Sequence, residues 1–222
     1  MGGGGVATLV LTGRSADVLA RFSEPLSALS EEERARATAI RSEGDRDSMV
    51  AAHLLARMCA ARVLGTSVGD LTIEQRCSSC ARPHGRPTVV QAPELAVSWS
   101  HTRGHVAATA GAGPLGIDIE ALPGRNSDAL PRRVLAPAEV RWMLAATDPQ
   151  AAFLSLWVRK EALIKVGLLT LGTLSTVDLI GPAGEPAEAW EGLRFTGWSR
   201  GPVIGACATP QPAGRPSVQH LC

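Results

Sequence analysis

The chain has 222 residues, of which 45% are hydrophobic and 19% charged, a globular composition that excludes a disordered tail protein. Twenty-two Lys and Arg balance 21 Asp and Glu, leaving a formal charge of +1, so the cation surplus that non-specific DNA or RNA binding needs is missing. With 4% aromatics and no tyrosine, stacking platforms for single strands are excluded as well.

Val6–Leu11 reads as a strand; it has no basic segment before it and is too short for a signal or a membrane span. Ser30 and Glu33 form a capping-box signature opening an Arg-rich helix, and a longer helix is expected from Asp47 to Leu64, stopped by Gly65. Leu71–Arg76 reads as a short strand and Cys77–Pro87 as a polar turn. Leu95–Ser100 alternates as a half-buried strand, His105–Ala110 is its expected hairpin partner, and Leu115–Glu120 is a further strand. A Pro/Gly/Asn loop at Pro123–Ser127 leads to expected helices at Pro137–Ala146 and Pro149–Val166. Strand-like runs follow at Val177–Ile180, Leu193–Trp198 and Val203–Ala208, and the tail after Pro210 reads as frayed. The pattern is α+β in two stretches. The odd count of five cysteines argues against a disulfide scaffold and for a reducing cytosol, and no stretch is apolar enough for a bilayer, so a cytoplasmic protein is expected.

The chemistry-bearing residues fall into four groups. In Gly116-Ile117-Asp118-Ile119-Glu120 the strand period of two puts Asp118 and Glu120 on one face and both isoleucines on the other. A solvated strand face is the bland reading; a hard-cation site of the kind Mg²⁺ occupies is the functional one. On the helix carrying Trp157 to Lys165, Glu161 and Lys165 are i, i+4 neighbours: an ordinary surface pair, or a third carboxylate beside a phosphate-seeking cation. Ser98-Trp99-Ser100-His101-Thr102 at a strand end suits an anion, although a lone His beside a turn is more often structural. Cys77, Cys80 and His84 resemble half a zinc site, but the local sequence supplies no fourth ligand, so no structural zinc is expected.

Gly116–Glu120, followed by Trp157-x-x-Lys160-Glu161-Ala162-x-x-Lys165, resembles the signature pair of the Sfp-type 4′-phosphopantetheinyl transferases. Ser100-His101-Thr102 and Gly85-Arg86-Pro87 are similar to two further family motifs, in the right order. The resemblance covers roughly residues 30 to 180. It implies a pseudo-dimer of two similar α+β halves, here 1–112 and 113–222, with the active site at the seam. It also implies transfer of the phosphopantetheine arm of coenzyme A to a serine of apo acyl- or peptidyl-carrier proteins, releasing 3′,5′-ADP, in polyketide and nonribosomal peptide biosynthesis, by a monomer.

By the same resemblance, Asp118, Glu120 and Glu161 hold Mg²⁺, Glu161 is the candidate base, and Lys165 neutralises the leaving phosphate. His101, with Ser100 and Thr102, faces a coenzyme A phosphate; Arg46 contacts the 3′-phosphate, Arg86 and Pro87 border the adenine, and Lys160 is placed with the cofactor-binding residues. Arg34, Arg36 and Arg41 are the basic residues of the early helix. Two other readings are a Mg²⁺-dependent nuclease, disfavoured by the near-neutral charge and by the helical Glu161–Lys165 spacing, and a zinc-stabilised interaction module built on Cys77, Cys80 and His84.

Overall fold

The computed structural model describes residues 7–76, 85–123, 130–211 and 216–221; Cys77, Cys80 and His84 lie outside them. The order begins β1 (Leu9–Arg14), α1 (Ser15–Leu19), α2 (Glu31–Ala39), α3 (Glu43–Leu64), β2 (Ile73–Gln75), β3 (Pro87–Val89), β4 (Leu95–Thr102), β5 (His105–Ala112) and β6 (Gly116–Ala121). It continues with α4 (Leu130–Val134), α5 (Pro137–Ala145), α6 (Pro149–Val166), β7 (Ala189–Trp190), β8 (Leu193–Arg200), β9 (Val203–Pro210) and β10 (Ser217–His220). This is a mixed α+β fold with two four-stranded sheets, ordered β10-β1-β5-β4 and β6-β9-β8-β7, and a small β2-β3 ribbon. No helix among the described residues is long and apolar enough to cross a membrane.

Each large sheet buries one face under a long helix. Leu11, Val97, Val106 and Ala108 pack with Leu54 and Leu55 of α3. Phe195, Ala206 and Ala208 pack with Leu156 and Leu163 of α6. The opposite faces meet each other through Val10 and Ala107 from the first sheet and Ile117, Ile119, Val203 and Cys207 from the second. β6 is therefore buried on both sides, its isoleucines against the first sheet and Asp118 and Glu120 on the face that α6 crosses.

α3 and α6 both end on a left-handed glycine, Gly65 at φ 68° and Gly167 at φ 92°, the conformation only glycine adopts without cost. Gly116 serves packing instead: a Cβ there would lie 2.2 Å from the Ala162 carbonyl oxygen, so α6 rests directly on the β6 backbone. Gly116→Ala is expected to destabilise the chain by about 1–3 kcal/mol, the cost of overpacking a close contact, read as a lower urea midpoint; an unchanged midpoint would refute the contact.

Three expectations are corrected. α3 starts at Glu43, four residues before Asp47, because the Ser42 side chain accepts from the Asp45 N–H at 3.3 Å and caps the helix there. Within the tail expected to fray after Pro210, Ser217–His220 pairs in parallel with β1, Leu9 opposite Ser217 and Thr12 opposite His220. Val177–Ile180 is not a ladder strand. Its groups go to buried side chains, the Val177 carbonyl to Lys160 Nζ at 2.6 Å and the Leu179 N–H to Glu139 Oε1 at 2.9 Å, leaving one isolated bridge, Ile180 to Pro186.

Candidate functional site

β4 and β6 are edge strands of different sheets, and they lie side by side. Their polar residues interlock across that junction. Ser98 Oγ accepts from the Ile117 N–H (3.2 Å), Ser100 Oγ donates to Asp118 Oδ1 (2.7 Å), and Thr102 Oγ1 donates to Glu120 Oε2 (3.2 Å). Ser100 and Thr102 were expected to shape a phosphate pocket; the structure gives their hydroxyls to the two carboxylates, which they orient.

α6 brings in Glu161 and Lys165. Lys165 Nζ donates to Asp118 Oδ1 (2.8 Å), to the Ile117 carbonyl (2.8 Å) and to the Trp99 carbonyl (3.1 Å), which uses its three donors. Its carboxylate partner is thus Asp118 rather than Glu161. Glu161 is half-buried, and its carboxyl is pushed up from an ordinary 4.5 to about 7, first by burial and then by the negative charges of Asp118 and Glu120, with Lys165 pulling the other way. The three carboxylates therefore share one electrostatic neighbourhood.

Among the described residues no three His, Cys, Asp or Glu side chains are gathered tightly enough to enclose a metal ion. The donor chemistry nonetheless fits a hard divalent cation: three carboxylates supply oxygen ligands, and a cation between them would offset both the burial and the mutual repulsion that raise the Glu161 carboxyl.

The residues expected on the nucleotide side are only partly drawn together. Arg86, Pro87 and Lys165 line a cavity of about 510 Å³ with Gln75, Trp99 and Gly167, a volume within the range of small-ligand sites. Arg36 reaches that cavity indirectly, both terminal nitrogens donating to Gln75 Oε1 at 3.3 Å. His101 stands outside the lining, exposed at the end of β4. Partial desolvation first, and then His53 and Lys165, lower its pKa, against the pull of Asp45 and Asp118. Arg46 lies in the first turn of α3, 4.0 Å from Glu43, and does not line the cavity.

Lys160 is corrected outright. It is fully buried, 2.8 Å from Glu139 Oε2, and donates to the Leu174 and Val177 carbonyls at 2.6 Å each. With all three protons committed inside the core, it braces α6 against α5 and the segment after α6, and it binds no cofactor.

A second buried network lies behind the site. Glu33 accepts from Arg57 at 2.6 and 3.1 Å, bonds His53 Nδ1 at 2.7 Å, and still accepts from the Ser30 N–H at 2.7 Å. His53 in turn packs its ring on Trp99, centroids 4.7 Å apart. That the Trp99 carbonyl anchors Lys165 was not legible in the sequence, because backbone acceptors leave no trace in residue type; Glu33 was readable only as the capping-box partner of Ser30, not as the partner of Arg57.

A model of the family described as the 4′-phosphopantetheinyl transferase superfamily matches residues 114–191, the stretch that contains Asp118, Glu120, Glu161 and Lys165. The match supports a transferase of this kind. No curated protein matches the chain.

Proposed function

We propose that the chain transfers the 4′-phosphopantetheine group of coenzyme A to a serine hydroxyl of apo acyl- or peptidyl-carrier proteins, releasing 3′,5′-ADP and serving polyketide and nonribosomal peptide assembly. The observation that carries this reading is the meeting of Asp118, Glu120, Glu161 and Lys165 at the β4–β6 junction, within the stretch that matches the transferase family.

Asp118, Glu120 and Glu161 would hold Mg²⁺, which supplies charge neutralisation for the pyrophosphate oxygens. The serine oxygen forms a bond to the phosphorus that carries pantetheine, and the bond from that phosphorus to the bridging oxygen of 3′,5′-ADP breaks, the electron pair leaving with the nucleotide. Glu161, with its carboxyl near 7, takes the serine proton directly or through an intervening water. Lys165 offsets charge that develops on the leaving phosphate. Ser100 and Thr102 fix Asp118 and Glu120, Arg86 and Pro87 border the adenine in the adjoining cavity, and His101 and Arg46 contact the 3′-phosphate from outside it.

The reading includes a pseudo-dimer of halves 1–112 and 113–222, acting as a monomer. Two parallels support it. β1-α2-α3-β4-β5 and β6-α5-α6-β8-β9 run in the same order, and their sheets pair alike, β1-β5-β4 and β6-β9-β8. In each, a buried glutamate in the first turn of the shorter helix (Glu33, Glu139) grips a cation of the longer one (Arg57, Lys160).

Incubation with coenzyme A, Mg²⁺ and a panel of apo acyl- and peptidyl-carrier proteins, followed by mass spectrometry, is expected to show carriers heavier by one phosphopantetheine; no gain on any carrier would overturn the reading. His101→Ala and Arg46→Ala are each expected to weaken coenzyme A by roughly 1.5–3 kcal/mol, the loss of a hydrogen bond to a charged group. 3′-Dephospho-coenzyme A should lose far less, and equal losses for both ligands would remove these side chains from the 3′-phosphate.

A further inference from the structure

Arg159 projects from α6 on another side than Glu161 and, unlike Arg57, Lys160 and Lys165, faces no carboxylate among the described residues. Arg57 has Glu33, Lys160 has Glu139, and Lys165 has Asp118. Arg159 is half-buried, its NH1 donates to the Ser155 carbonyl at 2.5 Å, and its buried Nε has no acceptor. Desolvation lowers its pKa, and no carboxylate acts to raise it. Sequestering a charge without a counter-charge is costly, so an anion brought to this guanidinium gains what the fold leaves unmade.

The space for that anion is present. Arg159 lines a groove of about 650 Å³ between α5, α6 and strands β8 and β9, whose walls mix Trp142, Phe195 and Ile204 with the hydroxyl residues Thr147, Ser155 and Thr196. Gly197 keeps the groove open at the guanidinium: a Cβ there would stand 3.4 Å from Arg159 NH2. Two acids also border the groove, and both are engaged. Asp148 Oδ1 caps α6, accepting from the Gln150 and Ala151 N–H groups, and Glu188 is held 3.8 Å from Arg194. With one guanidinium and two engaged acids on its border, the groove admits at most a singly charged planar carboxylate; a phosphate dianion calls for a second cation, which the described lining does not supply.

We propose that this groove is a binding site for a small organic carboxylate bearing an aliphatic or aromatic body, with Arg159 as its counter-cation and Trp142 and Phe195 among its walls. The site is separate from the carboxylate centre, and its test needs neither coenzyme A nor Mg²⁺, so its failure leaves the transferase reading untouched.

Octanoate, octanamide and inorganic phosphate would be titrated into the full chain by calorimetry, with tryptophan fluorescence as a second readout from Trp142. Saturable octanoate binding is expected, with octanamide weaker by roughly tenfold to a hundredfold for want of the charged hydrogen bonds, and phosphate weaker still. Arg159→Met should remove the preference for octanoate over octanamide, and Arg159→Lys should restore part of it. Absence of saturable octanoate binding, equal binding of octanamide, or an unchanged preference in folded Arg159→Met would overturn the proposal. If Arg159→Met fails to fold, the comparison of octanoate with octanamide on the unaltered chain decides.

Discussion

Glu161→Gln is expected to cut phosphopantetheine transfer by roughly a hundredfold to ten-thousandfold, the range for removing a positioned general base, while the far-ultraviolet circular dichroism stays unchanged. The same carboxyl gives the prediction a pH signature. Its pKa is raised in the folded chain, from 4.5 to about 7, so between those values the unfolded state binds fewer protons than the folded one, and stability falls as pH rises through the window. In the metal-free protein this slope should disappear in Glu161→Gln. Because a ligand carboxylate must lose its proton to bind a cation, Mg²⁺ affinity should climb between about pH 6 and pH 8. Full transfer by Glu161→Gln at saturating Mg²⁺, or an unchanged slope, would remove Glu161 from the centre.

Glu33→Ala is expected to be the most destabilising single change considered for the first sheet and its helices, by about 3–5 kcal/mol, since it leaves Arg57 buried with no counter-charge. Burial alone would raise the Glu33 carboxyl, but the bonds from His53 and Arg57 outweigh it and hold the carboxyl at about 2. A depressed pKa contributes stability that is present above the unfolded value of 4.5 and is lost as pH falls toward 2. The unaltered chain should therefore lose stability across that acid window, and Glu33→Ala should lose less, having no such carboxyl to protonate. Adding Arg57→Met should recover much of the loss, because a buried ion pair can be replaced by apolar groups at little cost. Equal urea midpoints for Glu33→Ala and the unaltered chain would refute the network.

What the sequence disclosed follows from which interactions are local. The face shared by Asp118 and Glu120 needs only the period of a strand, and the caps at Ser30 and Gly65 need only their own helices. β10 was missed because a parallel pairing with β1 joins residues some two hundred positions apart, and nothing in Ser217–His220 names its partner. Val177–Ile180 has a strand's composition, but Lys160 and Glu139 take its backbone groups first. Lys160 itself carried a readable warning: with Leu156 and Leu163 it shares the buried side of α6, where helical spacing places it inward. The motif around it drew attention to charge when position was the better guide. The carboxylate centre was legible as a set of residues, whereas the roles of Ser98, Ser100 and Thr102 as its supports emerged only once β4 and β6 stood side by side.

Lys165 has a mechanical side. Trp99 and Ile117 sit on sheet edges, where outward carbonyls have no ladder neighbour, and one ammonium takes both while holding Asp118. It is a crosslink between two sheets as much as a charge. Any phosphate oxygen that recruits this ammonium does so in competition with those carbonyls, so loading the site loosens a fastening and discharging it restores one. The junction proposed to bind the reactants is also a joint, and the stiffness of that joint is set by the side chain proposed to meet the phosphate.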